Sequence, residues 1–118
     1  MGWRFVQYNG AYDDLMADCD QAMKDALKPR LAQLLLLGNM ATFPITESFG
    51  DGLFEVRARA SRVRIRLLFG FLPGQRIVFV WGGKKDQRKL PAKTIKGARK
   101  LLEAAQAEAE TLDGVDFS

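Results

Sequence analysis

A chain of 118 residues and 13.2 kDa has room for one domain, and 47% hydrophobic residues suit a folded globule rather than a disordered tail. It contains no histidine and a single cysteine, Cys19, which excludes an internal disulfide, histidine-based metal sites and histidine bases. The net charge of +4 hides an asymmetry: residues 53–100 carry 14 Lys/Arg against two acids, a local +12, and the remainder carries four against 12, or −8.

Met1-Gly2-Trp3-Arg4-Phe5 lacks the pattern of a signal peptide, since a polar stretch follows within a few residues, and Leu34–Leu37 is far too short to span a membrane. A cytoplasmic protein without metal or cofactor is expected. Residues 3–8 alternate as a short strand closed by Asn9-Gly10. From Asp13 to about Gly38 the period becomes helical, with Leu15, Cys19, Ala22 and Ala26 on one face. Pro29 predicts a break there, followed by a second helix over 31–37, so that the two form a hairpin. Residues 38–52, rich in Gly, Asn, Pro and Ser, read as a loop.

Strands are expected over 53–60, 62–71 and 77–81, with a turn at Pro73-Gly74 and a break at Gly82-Gly83. The apolar stripe Ile95, Ala98, Leu102, Ala105, Ala109, Leu112 predicts a long final helix. Its polar face is basic early and acidic late, against the preference of the helix dipole, so local stability did not select that order.

Joined by a turn at Ala60-Ser61, the two middle strands place Phe54, Val56, Val63, Ile65 and Leu67 over the helices. The opposite face then holds Arg57, Arg59, Arg62, Arg64 and Arg66, opposed by Glu55. Exposed sheet faces usually mix signs, because like charges across strands repel. Arginine's planar fork suits phosphate oxygens, so this face is a candidate anion surface. Gly82-Gly83-Lys84-Lys85 follows beside it, without the spacing of a phosphate-binding P-loop. Tyr12, Phe43, Phe49, Phe54 and Trp81 are candidate stacking partners for bases, although alternation puts Trp81 in the core row with Ile77 and Phe79.

Gly52-Leu53-Phe54-Glu55-Val56-Arg57 resembles the "GLYELR" that opens the sheet of HigB-like, phage-derived toxins of the RelE/ParE superfamily. Arg64-Ile65-Arg66-Leu67-Leu68-Phe69 is similar to their "RYRVFYF" strand. Residues 82–98 are similar to the family's "HGFxKKTQKTPxxEIxxA", with Lys84-Lys85, Gln87, Lys89, Pro91, Ile95 and Ala98 matching. The resemblance covers the C-terminal two thirds; the N-terminal helices match in type only.

The resemblance implies an α+β, RelE-like fold: an N-terminal helical hairpin packed on a small twisted antiparallel sheet, plus a C-terminal helix, in one domain over 1–118. It implies the toxin of a type II toxin–antitoxin module, an endoribonuclease that cleaves mRNA on the ribosome and is neutralised by a helix-turn-helix antitoxin encoded nearby. Carried over by position, Arg57, Arg66 and Lys85 are the catalytic candidates: the arginines on the scissile phosphate, Lys85 near the leaving group or as base. Arg59, Arg62, Arg64 and Lys84 are the RNA-binding candidates. The chain departs from the family where a His or Tyr stands near the C-terminal helix: it has no histidine, and its tyrosines are Tyr8 and Tyr12. A ParE-like inhibitor of DNA gyrase and a catalytically silent, phage-derived binding module remain alternatives.

Overall fold

The computed structural model describes residues 2–117. Strand β1 (Arg4–Gln7) leads into helices α1 (Ala11–Ala17) and α2 (Gln21–Leu37). The break between the helices lies at residues 18–20, not at Pro29: the Asp20 carboxylate accepts from the Met23 N–H at 2.9 Å and caps α2. Pro29 sits inside α2 at an exposed position. A proline there costs about 3 kcal/mol in lost helical bonding and steric strain. Leu27, Leu31 and Leu34, all fully buried around it, each return roughly 1.5–3 kcal/mol and hold the helix together. The pattern of local breakers pointed to Pro29 because it cannot register that tertiary gain.

Residues 38–52 are not loop throughout. After a 3-10 turn, Gly38–Met40, the segment contains strand β2 (Thr46–Ser48), which pairs antiparallel with the start of β3 (Phe54–Ala60). Next come β4 (Val63–Leu72), β5 (Arg76–Lys85), α3 (Ala92–Ala107) and the two-residue β6 (Asp113–Gly114). The six strands form one sheet in the order β2-β3-β4-β5-β1-β6. Every neighbouring pair is antiparallel except β1 and β5, which run parallel. The fold is thus α+β, with a mostly antiparallel sheet.

Both sheet faces are covered, but unequally. On one face α1 lies over β5 and α2 over β3, burying Leu15, Leu27, Leu31 and Leu34 against Val56, Ile65, Leu67, Phe69, Ile77 and Phe79. On the other, Ala98, Leu102 and Ala105 of α3 pack on Leu68, Leu72, Val78 and Val80. At Gly70 the two layers meet so closely that a Cβ would lie 2.5 Å from a Leu102 methyl. The helix α3 ends at Ala107, short of the full apolar stripe, yet Ala109 and Leu112 still pack on the same core from beyond its end.

Gly82-Gly83 does not break β5, which runs on to Lys85. The glycines are there for closeness: a Cβ at Gly82 would come within 3.0 Å of Leu15, and one at Gly83 within 2.5 Å of the Trp81 indole. A bulge also resets the alternation. Phe69 pairs with Phe79 but Leu68 with Trp81, leaving Val80 as the extra residue. Trp81 therefore leaves the row of Ile77 and Phe79 and packs with the α3-side core, contrary to simple alternation.

Candidate functional site

The register of β3 and β4 sets Arg57 opposite Arg66 and Arg59 opposite Arg64, and β5 adds Lys85 opposite Arg64. Like charges directly across a sheet destabilise it, so this face is built against local preference. α3 covers only the apolar half of the face, and the arginine half is left as an open groove of about 980 Å³. Arg57, Arg59, Arg64 and Arg66 line it with Arg30, Arg88 and Lys89, and the two acids among the lining residues are Glu47 and Glu55.

The arginines differ in how free they are. Arg66 is buried, its side chain 2% exposed, with Nε 3.3 Å from a Glu55 carboxylate that is 3% exposed. The contact is electrostatic and poorly aligned as a hydrogen bond, leaving Nε without a hydrogen-bond partner. The Arg66 Nη2 donates instead to the carbonyls of Gln87 (2.7 Å) and Arg88 (2.8 Å). Arg66 is thus the anchor of a strap, residues 86–90, drawn across its guanidinium. Burial drives the Arg66 guanidinium down and the Glu55 carboxyl up from their ordinary values, and their mutual attraction works against both shifts.

Arg64 is one-fifth exposed and holds the start of the strap, 3.6 Å from the Asp86 carboxylate. Arg57 is 40% exposed, 3.4 Å from Glu55 and 3.7 Å from Glu47. Arg59 is exposed and donates to the Ser61 carbonyl at 3.0 Å; among the described residues no carboxylate pairs with it. Arg88 and Lys89 are exposed on the strap.

Of the seven residues singled out in the sequence, four line the groove together. Lys85 lies on the same face, opposite Arg64 but outside the groove lining, and Arg62 sits exposed in the turn before β4. Lys84 alternates to the helix-covered face opposite Ile65, where its charge acts on the Cys19 thiol that burial pushes up. Of the five candidate stacking aromatics, Phe49 lines the groove. Tyr12 is buried against Phe79 at 5.6 Å, Phe54 and Trp81 pack on the two cores, and Phe43 is exposed elsewhere.

Arg30, Arg88, Leu90 and Ile95 were not placed at the site by sequence reasoning. The basic run ending at Lys89 was visible, but not that the segment folds back over Arg66. Arg30 belongs to α2 on the far layer, and reaches the groove past an edge that β2 leaves open beyond Val56. Its guanidinium donates to the Pro44 carbonyl at 3.2 Å. Among the described residues no cluster of three His, Cys, Asp or Glu stands close enough to hold a metal ion, and no helix is long and apolar enough to cross a membrane.

A family model described as phage derived protein Gp49-like matches residues 14–103, a span that contains every residue lining the groove. No curated protein matches the chain. With some three quarters of its length matched, the chain belongs to the phage-derived Gp49-like family, a family of the RelE-like toxin type.

Proposed function

We propose that this protein is the cytoplasmic toxin of a type II toxin–antitoxin module, an endoribonuclease of the HigB kind that cleaves mRNA on the ribosome. The observation that carries this reading is the groove, where cross-strand arginine pairs stand with few acids to neutralise them. Such a surface is stabilised when phosphates fill it. The 2′-hydroxyl of the bound strand gives up its proton to solvent water as it attacks the adjacent phosphate in line, the P–O5′ bond breaks, and a 2′,3′-cyclic phosphate forms. Arg57 and Arg59, the accessible members of the two pairs, hold the phosphate as negative charge builds on it. Lys85 donates the proton to the leaving 5′ oxygen. Arg66 acts from behind as a positioning residue, keeping Arg88 and Lys89 on the groove wall. An antitoxin with an acidic segment, from a neighbouring helix-turn-helix protein, would occupy the same groove and exclude RNA.

Controlled expression in bacteria, with growth and transcript integrity followed together, tests this reading. Arg57→Ala and Lys85→Ala are expected to relieve growth arrest, with mRNA cleavage falling roughly 100-fold for Arg57→Ala. Arrest with intact transcripts moves the target to gyrase. A soluble, folded wild-type chain that arrests nothing ends the nuclease reading and leaves a binding module.

A further inference from the structure

The groove is not cationic throughout. Phe49, Leu90 and Ile95 line it beside the arginines, and each also packs its other side on the core beneath α3. We propose that these three side chains form a subsite for an unpaired nucleobase, with Arg57 and Arg88 holding the flanking phosphates; the proposal rests on the RNA reading above. A slot for phosphates alone needs no apolar wall, whereas a nucleotide presents a flat apolar face next to an anion.

The platform is held in place before any ligand arrives. The Phe49 N–H donates to the Leu53 carbonyl at 2.9 Å, and the Phe49 carbonyl accepts from the Arg99 guanidinium. The same guanidinium donates to the Gly50 carbonyl at 2.8 Å. The basic start of α3, unfavourable for its dipole, thus has a use: Arg99 ties the loop that carries Phe49 to the helix that carries Ile95. Leu90 arrives from the strap that Arg66 anchors. Three separate segments converge on one apolar spot. Stacking on an aromatic ring is worth about 1–3 kcal/mol per base and tolerates any base. The subsite therefore prefers purines to pyrimidines modestly and has no hydrogen-bond code.

The test is fluorescence anisotropy with a labelled six-nucleotide RNA and with the same backbone made abasic. Phe49→Leu, which keeps the apolar volume needed for packing, and Phe49→Ala are expected to weaken intact RNA about tenfold and leave the abasic strand unchanged. Phe49→Tyr, which retains the ring, binds like wild type. Arg57→Ala weakens both strands alike. Equal weakening of both strands by Phe49→Leu, or of neither, overturns the subsite. Wild type binding intact and abasic strands equally also removes it, while leaving the RNA reading standing. Wild type binding neither strand removes both, and a hexaglutamate peptide binding more tightly than intact RNA reassigns the groove to an acidic protein partner.

Discussion

Glu55 and Arg66 are both withdrawn from water, with side-chain exposures of 3% and 2%. Desolvating two charges costs more than a pair at 3.3 Å fully returns, which is why burial leads the shift of each group. Removing one partner is far worse than removing both. Arg66→Met is expected to cost roughly 3–5 kcal/mol in urea unfolding, whereas Glu55→Leu combined with Arg66→Met costs much less than the two single changes summed. A double variant as unstable as that sum would refute the coupling. The pH dependence has a definite sign. Glu55 has a raised folded-state value, so its contribution to stability is complete below its unfolded value and is lost as pH rises through the folded one. Without Arg66 that carboxyl rises further, and the Arg66→Met deficit is expected to shrink between pH 7.5 and 5. Alternation placed Arg66 on the right face of the sheet. It could not show that the guanidinium would be roofed over, because the roof arrives from 21 and 22 residues downstream.

Among the elements, the ends and irregularities were least legible. Of the five long segments, β3 and β4 stand where expected and α3 stops at Ala107 short of its apolar stripe, while α2 runs unbroken through Pro29 and β5 continues past Gly82-Gly83 to Lys85. The boundary between α1 and α2 depends on Asp20 as a cap and on leucine burial outweighing Pro29. The bulge in β5 exchanges the face of Trp81 without leaving a mark in the period. Gly38 marks a third such point, at φ 55° and ψ −130°, with the Trp3 indole 2.0 Å from where a Cβ would stand. Gly38→Ala is expected to cost about 2–4 kcal/mol, combining backbone strain with displacement of a half-buried ring, and to lower the thermal midpoint followed by far-UV circular dichroism. A midpoint within a degree of wild type would show that the ring moves freely.

At the scale of the molecule, one sheet face is divided between stability and function. Along β4 the row Arg64, Arg66, Leu68, Gly70, Leu72 changes from charged to apolar, and α3 covers the apolar part alone. The groove is the part of the face that no helix covers. Its charge makes salt the natural probe of binding. For single-stranded RNA, the slope of log K against log salt is about −0.7 per neutralised phosphate, so Arg57→Ala is expected to flatten it by roughly 0.7. An unchanged slope would place Arg57 off the phosphate path. Lys84→Ala, on the opposite face beside Cys19, is expected to leave that slope unaltered.

Fold class is legible in the chain's local patterns: the periods of its segments, the parity that gathers Arg57, Arg59, Arg64 and Arg66 on one face, and the concentration of positive charge in residues 53–100. These are local properties, written in neighbours one to four residues apart. Tertiary structure alone decided which cation stays free. Burial and counter-charge come from segments distant in the chain: Glu55 beneath Arg66, the strap above it, Arg30 around the open edge, and Phe49 held by Arg99. Two arginines equivalent in alternation, Arg57 and Arg66, end with side chains 40% and 2% exposed because packing, which no local pattern encodes, sets the dielectric around each.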